Sequence, residues 1–184
     1  MDELVRLRAL ATLLKSRPEG VTDEQMKLTT ACQNVGRATP AASLETGLWA
    51  VTTGDTDALM RGYFFLDEAK ASLAAFFAKQ SEVVRTRYGT PERLLGELWR
   101  VQGDDLPAAF QVVDEKRSFK TAEDAAQLHV WLRLPSGEEK GTRIYLQRGT
   151  EGWGIVTGNF PEAQLAKLAA RIDPATGALH AAGK

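Results

Sequence analysis

Few residues in this chain are of types that do acid–base chemistry near neutral pH. Its 184 residues include 2 histidines, His129 and His180, and a single cysteine, Cys32. His129 stands in the stretch AAQLHVWLRLP, alternating with Gln127, Trp131 and Arg133. A period of two places these on one strand face, with Ala126, Leu128, Val130, Leu132 and Leu134 on the other. If the polar-aromatic face encloses a cavity, His129 is the candidate catalytic group, because an imidazole in apolar surroundings titrates near working pH. The competing reading is a surface or interface histidine. His180 lies in a small, polar terminal stretch and is set aside. Asp114, Glu115 and Tyr145, on adjoining strands, are candidates on the same terms. Arg133, Arg143 and Arg148 would bind a carboxylate or phosphate if they converge across a hairpin. Against this stands a solvated face whose charges pair with Glu138, Glu139 or Asp114. Cys32 has no evident base beside it and reads as a small buried hydrophobe.

The remaining chemical signatures are absent. One cysteine leaves neither an internal disulfide nor a Cys-rich metal site. There is no glycine-rich phosphate loop followed by Lys-Ser or Lys-Thr, no His-Glu-x-x-His and no nucleophile elbow. The GDTD at residues 54–57 lacks the other positions of a calcium loop, and Asp55 and Asp57 are better explained as helix-capping acids. No metal and no cofactor is expected. The formal net charge is -1, without the basic excess that nucleic-acid binding needs. Hydrophobic residues at 43% and charged ones at 26% indicate a globular chain. No apolar run approaches the roughly 20 residues that span a bilayer. The opening MDELVRLRALATLLKS is charged throughout and has no evident cleavage site, so no signal peptide is expected. The location is cytoplasmic if the chain is complete, and envelope-associated if a leader or anchor was removed.

The elements that must position these residues follow from periodicity and punctuation. Leu7, Leu10, Ala11 and Leu14 give 3–16 a helical spacing, and this helix docks on the domain or on a second chain, with a membrane-surface helix as the alternative. Thr22 caps a short helix over 23–33. Thr39-Pro40 opens a helix with Leu44, Leu48 and Val51 on one stripe and Trp49 beside it. Gly54 stops that helix, and Asp55 caps a short one that ends in Tyr63-Phe64-Phe65. A long helix spans 68–87, with a stripe of Ala71, Ala74, Ala75, Phe77 and Ala78 flanked by Leu73 and Phe76. Thr90-Pro91 starts another, bearing Leu94, Leu95, Leu98 and Trp99. The period then falls to two through AFQVVDEKRSF, AAQLHVWLRLP, GTRIYLQR and WGIVTG, joined by Gly-containing hairpin turns. PEAQLAKLAARI is a closing helix.

This order predicts an α+β fold with helices on one face of an antiparallel sheet. It divides the chain into an N-terminal helical extension (1–38), a domain (39–172) and a flexible tail (173–184). Over roughly 39–160, the stretches ETGLWAVTTGDTDALMRGY and EGWGIVTG resemble the first helix pair and the closing strand of the NTF2-like superfamily, also called cystatin-like or SnoaL-like. The resemblance implies a sheet curved into a cone whose mouth the first helices close. Trp49, Tyr63, Phe64, Phe65 and Trp99 would then line or plug the interior, unless they are plain core. It also implies a homodimer paired through the sheet face, with Trp131, Arg133, Arg143 and Tyr145 as interface candidates. Enzymes of the superfamily use an Asp, His or Tyr inside the cone, and no such role carries over to this chain residue by residue. The expected function is therefore non-catalytic binding of a small apolar ligand or a protein partner. The alternatives are a small lyase or isomerase acting by proton transfer, and the soluble part of a larger envelope or regulatory protein.

Overall fold

A computed structural model of the chain describes residues 17–101, 106–118 and 124–180. The helix expected over 3–16 lies outside the described residues, as do the last four positions of the expected tail.

The corner that opens the domain forms through local capping chemistry. The Thr39 hydroxyl accepts from the Ala42 N–H, and Pro40 takes the first position of α1 (Pro40–Thr53). Gly54, at φ 76, supplies the left-handed residue that ends this helix. The Asp55 carboxylate then accepts from the Ala58 N–H and starts α2 (Thr56–Arg61). The helical half continues as α3 (Asp67–Ala78), α4 (Glu82–Tyr88) and α5 (Pro91–Val101).

Three expectations change here. Tyr63–Phe65 is not the end of α2 but a strand, β2, running parallel to Ile155–Thr157. Aromatics favour a half-buried pleated surface. The helix expected over 68–87 is two helices, because the Ser81 hydroxyl accepts from the Val84 N–H and caps a new start. Within α3, the larger flanking residues Leu73 and Phe76 are buried together with Ala69, while Ala71, Ala74 and Ala78 are exposed. The bigger side chains remove more apolar area from water and so decide which face turns inward. Finally, 23–33 is not a helix. It makes two single 3-10 turns around a two-residue strand, β1 (Lys27–Leu28), because its backbone bonds to the sheet instead: the Thr29 N–H donates to the Ala108 carbonyl at 3.0 Å.

The other strands are β3 (Ala109–Ser118), β4 (Ala125–Arg133), β5 (Glu139–Gly149) and β6 (Gly152–Thr157), followed by α6 (Glu162–Ala169). The sheet order is β1-β3-β4-β5-β6-β2. Its central meander is antiparallel throughout, and β2 adds one parallel edge. The six strands curl into a half-barrel. On the front face, Leu44 of α1 packs with Phe110, Ala126, Leu128, Val130, Leu146 and Trp153, and buried Cys32 joins them. A second core holds α3, α4 and α5 together through Leu73, Phe76, Val84, Leu94, Leu95 and Leu98, closed by Phe160, Leu168 and Ile172.

Residues 173–180 make defined contacts with the rest of the chain. Ile172 bridges to Leu179, the Asp173 carboxylate accepts from the Ala175 N–H, and the Tyr88 hydroxyl donates to the Gly177 carbonyl at 2.7 Å.

Candidate functional site

The polar-aromatic residues of β4 share the back face of the sheet, away from α1. In register, His129 stands between Asp114 and Arg143, Trp131 opposite Gly141, and Arg133 opposite Glu139. This face is not open. Trp131 is only 1% exposed and packs with Val21, Met26 and Ala109. Its Nε1–H donates to Glu139 at 3.0 Å. Arg133 donates to Glu139 at 2.9 Å and also pairs with Asp23, which in turn holds Arg17 at 2.7 Å. The segment before β1 is thus strapped over the sheet by an apolar contact and a chain of ion pairs. Trp131 and Arg133 are consequently internal contacts of the chain rather than an open interface.

The same pairs set the acid response of the strap. The hydrogen bond from Arg17, then that from Arg133, holds the Asp23 carboxyl below its ordinary range. Those from Trp131 and Arg133 do the same for Glu139. A carboxyl with a depressed folded-state pKa contributes stability above its unfolded pKa of about 4, and that contribution is lost as pH falls through the folded value. Acidification below about pH 4 should therefore loosen the strap, seen as a red shift of tryptophan emission. Glu139→Gln should show part of that shift already at neutral pH. Unchanged emission down to about pH 2.5 would contradict the ion-pair account.

His129 is half-buried above Gly141, where an added Cβ would stand 3.1 Å from its Nε2. That nitrogen is enclosed and has no hydrogen-bond partner. Asp114 stands opposite it on β3 and pairs instead with Lys116 at 3.6 Å. Arg143 and Tyr145 are exposed, Tyr145 by 56%. Arg148 stands opposite Trp153, whereas Arg133 is taken up by Glu139 and Asp23. The three arginines do not form one anion site.

The aromatic residues named as lining meet one another instead. Tyr63 lies 4.6 Å from Trp99 and 6.0 Å from Phe65, centroid to centroid. Trp99 and Phe65 both reach Phe160, at 6.5 and 6.3 Å. Trp49, Tyr63 and Trp99 pack against Ala50, Ala58 and Leu59. Phe64, pointing the other way along β2, is half-buried. Burial pushes the Tyr63 hydroxyl up to about 12, so it stays neutral at working pH. The buried polar side chains among the described residues are Thr29, Ser43 and Thr46, each donating its hydroxyl to a backbone carbonyl.

What opens to the surface at the far side of this aromatic cluster is a cleft of ≈ 550 Å³ between α3 and α6. Phe76 and Phe160 form its floor, while Ala75, Leu165, Ala166 and Ala169 form its walls. Ser72, Lys79, Gln80 and Glu162 stand at its polar rim. None of Trp49, Tyr63, Phe64, Phe65 or Trp99 lines it. Phe160, not among the sequence candidates, links their cluster to the cleft. The usable signal was the Pro161 start of α6 directly after it, which seats a helix beside α3.

No protein-family model matches the chain, and no curated protein sequence does. Solved structures with partial similarity include the following two. One, from Campylobacter jejuni, is described as an NTF2-like transpeptidase; it shares 13% identity at a TM-score of 0.31, covering 65% of this chain and 99% of its own. The other, from Xanthomonas campestris, is described as a calcium/calmodulin dependent protein kinase II association domain. It shares 12% identity at a TM-score of 0.32, covering 72% of this chain and 99% of its own. Likeness at that level carries nothing about this chain's chemistry. By its own topology the chain is α+β, with a helical layer closed over one face of a curled six-stranded sheet.

Proposed function

We propose that this chain is a non-catalytic binding module that takes a small apolar ligand in the cleft between α3 and α6. The observation that carries the reading is the cleft itself. At ≈ 550 Å³, with an aromatic floor, aliphatic walls and a few polar groups confined to the rim, it has the size and lining of a small-molecule site. The non-catalytic part is supported by where the titratable groups stand. His129 lies on the back face of the sheet, and the titratable side chains that line the cleft are Lys79 and Glu162, both at its rim. A homodimer through the back face would have to seat on Tyr145 and Arg143, since Trp131 and Arg133 are engaged within the chain. One exposed aromatic supports weak pairing at most.

The test is to fill the cleft from its rim. Ala166 is exposed on α6, so Ala166→Trp places an indole over the opening without disturbing the core. Titration with the fluorescent probe 1-anilinonaphthalene-8-sulfonate should show saturable binding to the native chain, weakened at least about tenfold by the variant. Equal binding by both proteins, at equal stability, would place the probe elsewhere and remove the reading.

A further inference from the structure

A second cleft, ≈ 380 Å³, lies where α4, α5 and the returning segment 176–179 meet. It gathers Arg87 from α4 with Arg93, Glu97 and Arg100 from α5. The α5 residues are spaced four and three apart, which puts them on one helix face. Three guanidinium groups against one carboxylate leave two positive charges in a cleft with little apolar lining. We propose that this cleft is a binding site for a small dianionic oxyanion ligand, with a phosphate monoester as the best match.

Arg87 and Arg100 are fixed yet retain free donors. Arg87 gives one N–H to the Thr176 carbonyl at 3.2 Å, and its guanidinium carbon lies 5.8 Å from the centre of the Tyr88 ring. Tyr88 is itself tied to Gly177, so the wall is held in place. Arg100 uses its Nε–H on Glu97 at 2.9 Å, leaving both terminal nitrogens for a ligand. Glu97 also accepts from the Thr56 hydroxyl at 2.7 Å, which draws its carboxylate towards α2. Burial alone would raise the Glu97 carboxyl, but the bonds from Thr56 and Arg100 hold it below its ordinary range, so the local charge balance is constant around neutral pH. Arg93, exposed in the first turn of α5, has no ion pair among the described residues. A planar guanidinium presents paired donors that match two oxygens of a phosphate or carboxylate, which a lysine does not reproduce. Two net charges suit a dianion better than a monoanion. The volume falls within the range of small-molecule sites and leaves room for a short carbon chain beside the anionic group. This site is independent of the α3–α6 cleft.

Calorimetric titration of the full chain with glycerol 3-phosphate, and in parallel with succinate, tests the assignment. At about 150 mM salt, diffuse charge attraction is screened and only a built site retains affinity. The expected result is one saturable site for glycerol 3-phosphate with Kd below about 1 mM. Arg93→Gln should weaken it at least about tenfold and Arg93→Lys about threefold or more, with the ligand-free thermal midpoint unchanged. Weaker succinate binding assigns the site to phosphate, whereas equal binding assigns it to dianions generally. No saturable heat for either compound up to about 10 mM overturns the proposal. Binding unmoved by both Arg93→Gln and Arg100→Gln would do the same.

Discussion

Trp131→Ala is expected to cost about 3–5 kcal/mol of unfolding free energy, read from the denaturation midpoint at constant slope. Trp131 is among the largest fully buried side chains described, and it sits where the strap meets the sheet. Truncation removes its packing on Val21, Met26 and Ala109. It also withdraws one of the donors that hold Glu139. The two contributions separate. Trp131→Phe keeps most of the ring area but loses the Nε1–H bond, and should cost roughly 1–2 kcal/mol. Because the strap is joined to the rest of the fold mainly here, limited proteolysis of Trp131→Ala should cut the residues before β1 before the core unfolds. A loss below about 1 kcal/mol would mean that the strap does not close over this face.

The second large effect is expected at Phe160. This ring is 4% exposed and lies within 6.3 to 6.5 Å of Phe65 and Trp99 while flooring the α3–α6 cleft. Phe160→Ala should cost about 3–5 kcal/mol, because it opens a void between the helical core and the aromatic cluster. Phe160→Leu keeps more of the volume and should cost less than about 1.5 kcal/mol. The pair also reads on function, since the alanine variant deepens the cleft whereas the leucine variant alters its floor from aromatic to aliphatic. If Phe160→Ala were no costlier than Phe160→Leu, the ring would not be the joint between the two regions.

How much of this was legible beforehand depends on how local the determining physics is. The α1–α2 corner follows from Thr39, Pro40, Gly54 and Asp55, each acting within four residues of itself, and it forms as expected. The meander follows from alternation and hairpin turns, also local. By contrast, β2 is three aromatics after a helix, and its strand character comes from pairing with β6 some 90 residues on. The break at Ser81 is hidden by apolar residues continuing on both sides of a single cap. Alternation in β4 separates two faces but does not say which is covered. Only contact with Val21, Met26 and Asp23 assigns Trp131 and Arg133 to an internal role. The site was the least legible part. Its lining is split between α3 and α6, and its floor residue Phe160 sits in a connection that carries no periodic signal. The aromatic candidates Tyr63, Phe65 and Trp99 meet one another and reach the cleft only through Phe160.

The central claim is that ligand binding belongs to the helical layer and not to the sheet. Amide chemical-shift mapping tests it most directly, using the full chain titrated with 1-anilinonaphthalene-8-sulfonate. Shifts concentrated on residues 72–80 and 160–169 are the predicted result. Shifts centred on β4 and β5 around His129 and Tyr145, with the helices unmoved, would contradict it.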